Sequence, residues 1–159
     1  MNAYHLKVSI IGRSKLYRTL EVSENHTFEA LHYAIFQAFD RYEQHMDSFF
    51  ITKKEAKSLP KRLQAPEITH PVNLEQAPAF VVKDMKSATE TKIGDAGLNE
   101  KDIFYYWFDF GDDWWHRIRV EKIMEKTSDD KIIGVVKSVG NAPPQHPEFD
   151  EEFDDDEDF

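Results

Sequence analysis

The sequence predicts an α+β fold: a mixed, mainly antiparallel sheet of five or six strands with one main helix packed on a face. Three observations support this. Apolar and polar residues alternate along Tyr4–Ile10 and again along Leu16–Val22. Apolar residues then recur with helical spacing over residues 27–41, and β-prone aromatic residues fill two runs after position 102. A length of 159 residues also suits one domain.

The first two runs predict a β-hairpin. Gly12 to Lys15 separates them, and a short glycine-containing turn between alternating runs is typical of paired strands. Thr27 is placed to cap the helix that follows, and His32 is expected to be a packed core histidine beside its apolar face. Ser48 to Ile51 is the third predicted strand. Hairpin, helix and strand then follow one another as in a β-grasp arrangement.

A long loop is predicted over about residues 52–79. This stretch is rich in Lys, Pro and Glu and lacks periodicity, so we expect no more than a short helical turn in it. A loop of that length is uncommon inside a compact domain and is either functional or mobile. Phe80 to Val82 is predicted as a short strand, and residues 83–101 as turns with a brief helix broken by Gly94 and Gly97.

A second hairpin is predicted from two strongly β-prone runs, Ile103 to Phe110 and Trp114 to Ile123. Gly111-Asp112-Asp113 lies between them as a turn. Ser128 to Asp130 marks a further turn, and Lys131 to Val139 is the last predicted strand.

Acidic residues are concentrated at the end of the sequence. Residues 148–159 contain nine acids and no base, which predicts a disordered acidic tail after a domain at residues 1–147. Without this tail the chain has 21 acids and 20 bases, so the net charge changes from −10 to −1. A balanced body gives no overall sign of nucleic-acid or membrane binding. The three phenylalanines of the tail also suit a short motif for a basic partner.

Several classes of protein and site are excluded or disfavoured. The sequence has no cysteine, which excludes disulfides, thiolate metal sites and a cysteine nucleophile. No basic region followed by a long apolar stretch opens the chain, and no apolar run approaches the ~20 residues of a membrane helix. We therefore expect a cytoplasmic protein without a membrane partner.

Three carboxylates and an imidazole lie close together in the second hairpin: Asp109, Asp112, Asp113 and His116. Such oxygen and nitrogen ligands suit a divalent metal, and Asp109, Asp112 and His116 are the candidate metal ligands. No other cofactor is predicted. The alternative is structural: Asp109 and Asp112 would accept turn hydrogen bonds, and Gly111 would take a positive φ angle.

Two further groups of residues suggest binding. Trp114 and Trp115 are expected to straddle the sheet, one inside and one on the surface, where they would extend the acidic turn into a binding surface. A basic segment precedes them, in which five cations accompany one acid and could contact phosphates. Its cations are Lys53, Lys54, Lys57, Lys61 and Arg62. The alternative for this segment is a solvated loop.

The second hairpin also carries a family resemblance. Tyr105 to His116 reads Y-Y-W-F-D-F-G-D-D-W-W-H. This resembles the D-F-G-D-x-W-x-H signature of the Ri-plasmid "open reading frame three"-like family, also described as transposon passenger proteins. Tyr4–Val8, Tyr17–Val22 and Thr27–His32 resemble its opening strands and first helix, so the resemblance covers most of residues 4–147. It implies an α+β fold without an established activity.

The sequence departs from the family near its end. Where the family often has G-x-x-A-C-P-P-E-D, Gly140 to His146 reads G-N-A-P-P-Q-H, without the cysteine or the acidic pair. Any chemistry supported by that acidic pair is therefore not expected here.

For function, the sequence favours a non-enzymatic binding or adaptor module whose partner is another protein. An aromatic-rich hairpin offers a recognition surface, and the usual HExxH, P-loop, GxSxG and dinucleotide-binding patterns do not occur. The alternative is a metal-dependent enzyme or a nucleic-acid-binding protein centred on the Asp109–His116 hairpin.

Overall fold

The computed structural model describes residues 1–78, 85–126 and 133–145 and has an α+β architecture built on one mixed sheet. The eight described strands lie in the order β5-β4-β3-β6-β7-β1-β2-β8; β4 and β5 pair in parallel and the other described pairs are antiparallel. The strands are β1 Asn2–Ile10, β2 Arg13–Ser23, β3 Asp47–Phe50, β4 Glu67–Thr69, β5 Met85–Ser87, β6 Ile103–Phe108, β7 Trp114–Glu125 and β8 Ile133–Val139. The helices are α1 Phe28–Ala38, α2 Leu59–Leu63 and α3 Pro71–Gln76, with a 3₁₀ turn at Ile93–Ala96.

The predicted fold class is confirmed, but the sheet has more strands than the five or six expected. β4 and β5 have three residues each, which is too short for an alternating pattern to show in the sequence. Hairpin, helix and strand do follow one another in the chain. However, β6 and β7 separate β3 from β1 in the sheet, so the likeness to a β-grasp stays a prediction.

The opening hairpin and helix form for the reasons visible in the sequence. β1 and β2 pair with Leu6 opposite Leu20, and both side chains are fully buried. Thr27 caps α1, since its hydroxyl accepts a hydrogen bond from the Ala30 amide at 3.1 Å. The helix ends at Ala38, three residues before the predicted end, because Asp40 takes a left-handed φ of 55°.

The predicted loop over residues 52–79 is wrong in its main feature, because the chain there forms α2, β4 and α3. Ser58 and His70 cap the two short helices, and a proline follows each cap at the first or second helical position. Each element is only three to six residues long, which hides it from a periodicity analysis. These elements extend the sheet and cover part of it.

The two faces of the sheet carry separate cores. The front face, which α1 covers, includes buried Leu6, Val8, Phe104 and Ile118. A smaller back core consists of buried side chains on the opposite face together with Ala56 from the segment before α2. We call it the back cluster: Phe50, Ala56, Ile103, Tyr105 and Trp115. Neighbouring residues of one strand thus serve different cores, as the alternation of strand side chains requires.

Some predictions lie outside the described residues: the strand at Phe80–Val82, the turn at Ser128–Asp130 and the tail at 148–159. The described helices are all shorter and more polar than a membrane span requires.

Candidate functional site

The turn between β6 and β7 is held by aspartate side chains. Asp109 and Asp113 take left-handed φ angles of 56° and 62°, whereas Gly111 does not, so the predicted positive φ at Gly111 is wrong. Short polar side chains tolerate this region because they bond the local backbone. Asp109 Oδ1 accepts from the Asp112 amide at 3.2 Å, and Asp113 Oδ1 accepts from Trp107 Nε1 at 2.7 Å. Asp109 thus accepts the predicted turn hydrogen bond. The left-handed backbone conformation occurs at Asp109 and Asp113 instead of at Gly111.

Trp114 and Trp115 are both buried, at 4% and 7% exposure, which corrects the prediction that one would lie on the surface. Trp114 belongs to the front core and donates from Nε1 to the Gln145 carbonyl at 2.9 Å. Trp115 belongs to the back cluster and stacks on Trp107, with the ring centroids 5.0 Å apart. Part of the second face is covered by the segment predicted to be a loop, so neither Trp114 nor Trp115 lies on an open face.

His116 is fully buried and hydrogen-bonded at both ring nitrogens. Arg41 donates from Nη2 to Nε2 at 2.7 Å, so Nδ1 carries the proton and donates to the Tyr106 carbonyl at 3.1 Å. Burial, assisted by the Arg41 charge, holds the pKa of His116 well below its ordinary value. The ring is therefore neutral and orients Arg41 within the front core.

The candidate metal ligands are not brought together. His116 faces Arg41, Asp112 lies on the exposed turn, and Asp109 Oδ2 lies 3.5 Å from His45 Nε2. Over residues 1–78, 85–126 and 133–145, no group of three or more His, Asp or Glu side chains is placed to hold a metal ion. Asp109, Asp112 and His116 are close in sequence, but the turn directs their side chains to different surroundings. Sequence spacing alone could not show this separation.

The five cations of the basic segment differ in burial. Arg62 is buried and donates from Nε to the Ala56 carbonyl at 2.8 Å, with its guanidinium 4.9 Å from the Trp115 ring centroid. Its predicted contact with phosphate is therefore wrong, because the charge is used within the fold. The remaining cations of the segment are exposed: Lys53, Lys54, Lys57 and Lys61.

A cavity of about 410 Å³ opens between α1, the segment before β3 and α3, and sequence reasoning did not identify it. Part of its lining consists of exposed apolar side chains around the mouth: Tyr33 at 46% exposure, Met46 at 46% and Val72 at 44%. We call these three residues the rim. The rest of the lining is mostly polar or titratable: Glu29, His32, Gln44, His45, Asp47, His70 and Asn73. We call this set the floor.

His32 on the floor is tied into the front core. Its Nδ1 lies 2.5 Å from the Tyr106 hydroxyl, and its Nε2 lies 3.1 Å from Gln44 Oε1. Since an amide oxygen accepts, Nε2 carries the proton and the tyrosine donates to Nδ1. Burial lowers the pKa of His32 to about 4. The prediction of a packed core histidine agrees with this burial, but one edge of the ring also lines the cavity.

Asp47 is the most unusual member of the floor. It begins β3 and is 6% exposed, and burial, with a further contribution from the Glu29 charge, raises its pKa to about 7. His32 Nδ1 lies 3.6 Å from Asp47 Oδ2, but that nitrogen already accepts from Tyr106. The signal that could have marked Asp47 is a carboxylate directly before the buried strand residues that follow it.

His45 connects the cavity with the sequence motif. It lines the cavity, and its Nε2 lies 3.5 Å from Asp109 Oδ2. The motif therefore reaches the edge of the cavity through Asp109, while its other residues support the two cores. The arrangement can receive a ligand with an apolar part at the rim and a polar group at the floor.

Comparison with known proteins identifies the family but no activity. No curated protein matches this chain. The chain is similar to a solved protein of unknown function, MM3350 from Methanosarcina mazei Go1, with 26% identity and a TM-score of 0.66 over 91% of this chain and 72% of the other. The family described as plasmid pRiA4b ORF-3-like protein matches residues 2–151, almost the whole sequence, and the chain belongs to this family.

Proposed function

We propose that this protein is a binding module of the kind carried by plasmids and transposons, and that its cavity receives a segment of a protein partner. The observation that carries the proposal is the combination of an apolar rim with a buried carboxylate on the floor. Binding sites commonly pair apolar walls with a few placed polar groups, and perturbed titratable groups concentrate at such sites.

The rim supports the proposal through its composition. Tyr33, Met46 and Val72 come from three separate parts of the chain, yet all three are nearly half exposed around one opening. Aromatic residues and methionine are enriched in the centres of protein interfaces, where burial of their apolar surface stabilises the complex. A partner segment that covered these side chains would remove them from water at about 25 cal/mol per Å².

Matched valine variants test the proposal. Val72 on the rim and Val135 on β8 are equally exposed, at 44% and 46%. Partners captured by the wild-type chain are compared with those captured by Val72→Glu and Val135→Glu, with circular dichroism confirming that both variants fold. We expect Val72→Glu to lose the partner and Val135→Glu to retain it. Loss on the β8 variant alone, or equal retention by both, would overturn the proposal.

Nucleic-acid binding remains as a second candidate because of one specific feature. Lys53 and Lys86 line a separate cleft of about 520 Å³, beside the exposed lysines of the basic segment. Cations along a cleft suit phosphate groups, and such binding weakens steeply with salt. Glu67 lines the same cleft and opposes an anion. Binding of a labelled oligonucleotide to the wild type and to Lys53→Gln at several salt concentrations separates this candidate from the first.

A further inference from the structure

Three oxygen acceptors line the inner part of the cavity. Asp47 is 94% removed from solvent, and its carboxylate accepts no hydrogen bond within the part of the chain that the structure describes. Asn73 donates from Nδ2 to Thr69 Oγ1 at 2.7 Å, which leaves Oδ1 as a buried acceptor without a partner among the described residues. Glu29, on the first turn of α1, is the third.

Asp47 and Asn73 Oδ1 require a donor, because buried acceptors without hydrogen bonds are unfavourable, and half-buried Glu29 adds negative charge beside them. No lysine or arginine lines the cavity, and the described core cation nearby, Arg41, is engaged by His116 and by the rings of Phe39, Phe108 and Trp114. The floor therefore combines acceptors and negative charge with no lysine or arginine side chain in its own lining.

An ammonium group has the complementary chemistry. It presents three N–H donors and no acceptor on one compact charge. The alkyl chain that carries it would pack on the apolar side chains of the rim. A guanidinium spreads its donors over a wider plane, and the floor groups are not arranged as metal ligands in the described residues.

We propose that the cavity binds an alkylammonium group, and that in the cell this group is the side chain of a lysine on the protein partner. This inference rests on the proposed function and specifies the chemistry of the same site. Asp47 is the central acceptor, with Asn73 and Glu29 beside it, and the rim holds the methylene chain.

Binding should depend on pH in a defined direction. The raised pKa of Asp47, about 7, means that an ammonium ion binds its ionised form and releases a proton below that pH. The affinity should therefore rise as the pH increases from 6 to 8. Glu29, His32, His45 and His70 also face the cavity. His32 stays neutral over this range, because burial lowers its pKa to about 4.

The direct test uses the full chain and n-pentylammonium, with n-pentanol as the neutral match, titrated calorimetrically at pH 8 and low salt. We expect the ammonium to bind at least tenfold more tightly than the alcohol. Asp47→Asn should remove this preference, whereas Asp95→Asn, at an exposed carboxylate, should retain it. Equal binding of the two probes, or an unchanged preference in Asp47→Asn, would overturn the proposal.

A second arm identifies the source of the ammonium. A lysine-containing peptide is compared with the same peptide acetylated on the lysine, which removes the charge. Tighter binding of the unmodified peptide than of n-pentylammonium supports a protein lysine. Binding of the free amine alone would contradict that source.

Partner capture and ammonium binding by the Val72→Glu and Asp47→Asn variants test the two proposals separately. If Val72→Glu loses the captured partner while Asp47→Asn keeps it, the module stands and the lysine inference is wrong. If the ammonium preference depends on Asp47 but the partner ignores Val72→Glu, the cation site stands and the proposed function is wrong.

Discussion

Arg41 beside the front core and Arg62 against the back cluster both lie over aromatic rings, but their hydrogen bonds differ. Arg41 is 7% exposed and donates to the ring of His116, 75 residues away in sequence. Arg62 is 8% exposed and donates to the carbonyls of Ala56 and Lys57, six and five residues away. The hydrogen bond of Arg41 thus requires the completed fold, whereas those of Arg62 form within its own segment.

The two faces are therefore held in different ways. The front guanidinium joins the segment that follows α1 to β7 through a neutral histidine, so its loss would leave His116 Nε2 without its donor in the main core. The back guanidinium closes a local turn and covers the rings of Tyr105 and Trp115. We expect front variants to affect the stability of the whole domain and back variants to affect mainly the covering segment.

The largest expected effect comes from truncating the two arginines. Arg41→Ala should reduce the free energy of unfolding by about 5 kcal/mol, because it removes packing and leaves His116 Nε2 without its donor. Arg62→Ala should cost about 2 kcal/mol, because its carbonyl partners lie nearer to water. Urea denaturation followed by circular dichroism measures both. Equal losses would break the comparison.

Two carboxylates should give effects of opposite sign at pH 8. Asp47 has a pKa raised by burial from 3.8 to about 7, and each unit of pKa corresponds to about 1.4 kcal/mol. Asp47→Asn should therefore stabilise the protein by about 4 kcal/mol. Glu55 accepts from two nitrogens of the Arg117 guanidinium, Nε at 2.7 Å and Nη2 at 2.9 Å. Partial burial raises the pKa of Glu55, but these bonds and the one from the Tyr105 hydroxyl outweigh burial and lower it. Because this pair is partly exposed, Glu55→Gln should cost about 1 kcal/mol.

The pH dependence gives the control for Asp47. A carboxyl group whose pKa is raised on folding contributes stability below its unfolded pKa of 3.8 and loses it as the pH rises through about 7. The gain in Asp47→Asn should therefore disappear near pH 4. His32 acts in the opposite sense, since its pKa of about 4 in the fold makes it destabilising as the pH falls from 6.5. A pH-independent gain would contradict the assignment.

The adjacent tryptophans sharpen the comparison at a smaller scale. Trp114→Phe should cost about 2 kcal/mol, because the Gln145 carbonyl loses a buried hydrogen bond as well as packing. Trp115→Phe should cost about 1 kcal/mol, because a phenylalanine retains most of the stacking with Phe50 and Trp107. Thermal unfolding of the two variants under one buffer measures the difference. A greater loss of stability in Trp115→Phe than in Trp114→Phe would contradict the expectation that the front core contributes more than the back cluster.

The smallest effect is expected in the turn between β6 and β7. Gly111 has an ordinary φ, and a Cβ there would meet Asp109 Oδ1 at a normal 3.5 Å, so Gly111→Ala should change stability by less than about 0.5 kcal/mol. Gly140 ends β8 with φ +82°, and its Cβ would come within 2.9 Å of Leu16 Cδ1. Gly140→Ala should cost at least about 1 kcal/mol. Denaturant midpoints compare the two variants.

The long elements of the fold could be predicted because each shows its own pattern locally. In the middle of β1, buried Leu6 and Val8 alternate with half-buried His5 and Lys7, and Thr27 precedes a helix with an apolar stripe. The short elements α2, β4 and α3 could not be predicted in this way. Their three to six residues complete no recognisable period, and they form because they pack against strands supplied by the rest of the chain.

The sequence by itself determined the α+β class, the opening hairpin, the main helix and the family signature around Asp109–His116. Its local features carry that information, since side-chain periodicity and capping act over a few residues. The tertiary structure alone decided that Trp115 and Arg62 are buried and that His32, Asp47 and Asn73 line one cavity. His32, Asp47 and Asn73 are far apart in sequence, and no sequence pattern connects them. They meet because α1 and α3 pack against β3, and the burial that shifts the pKa of Asp47 arises only from that packing.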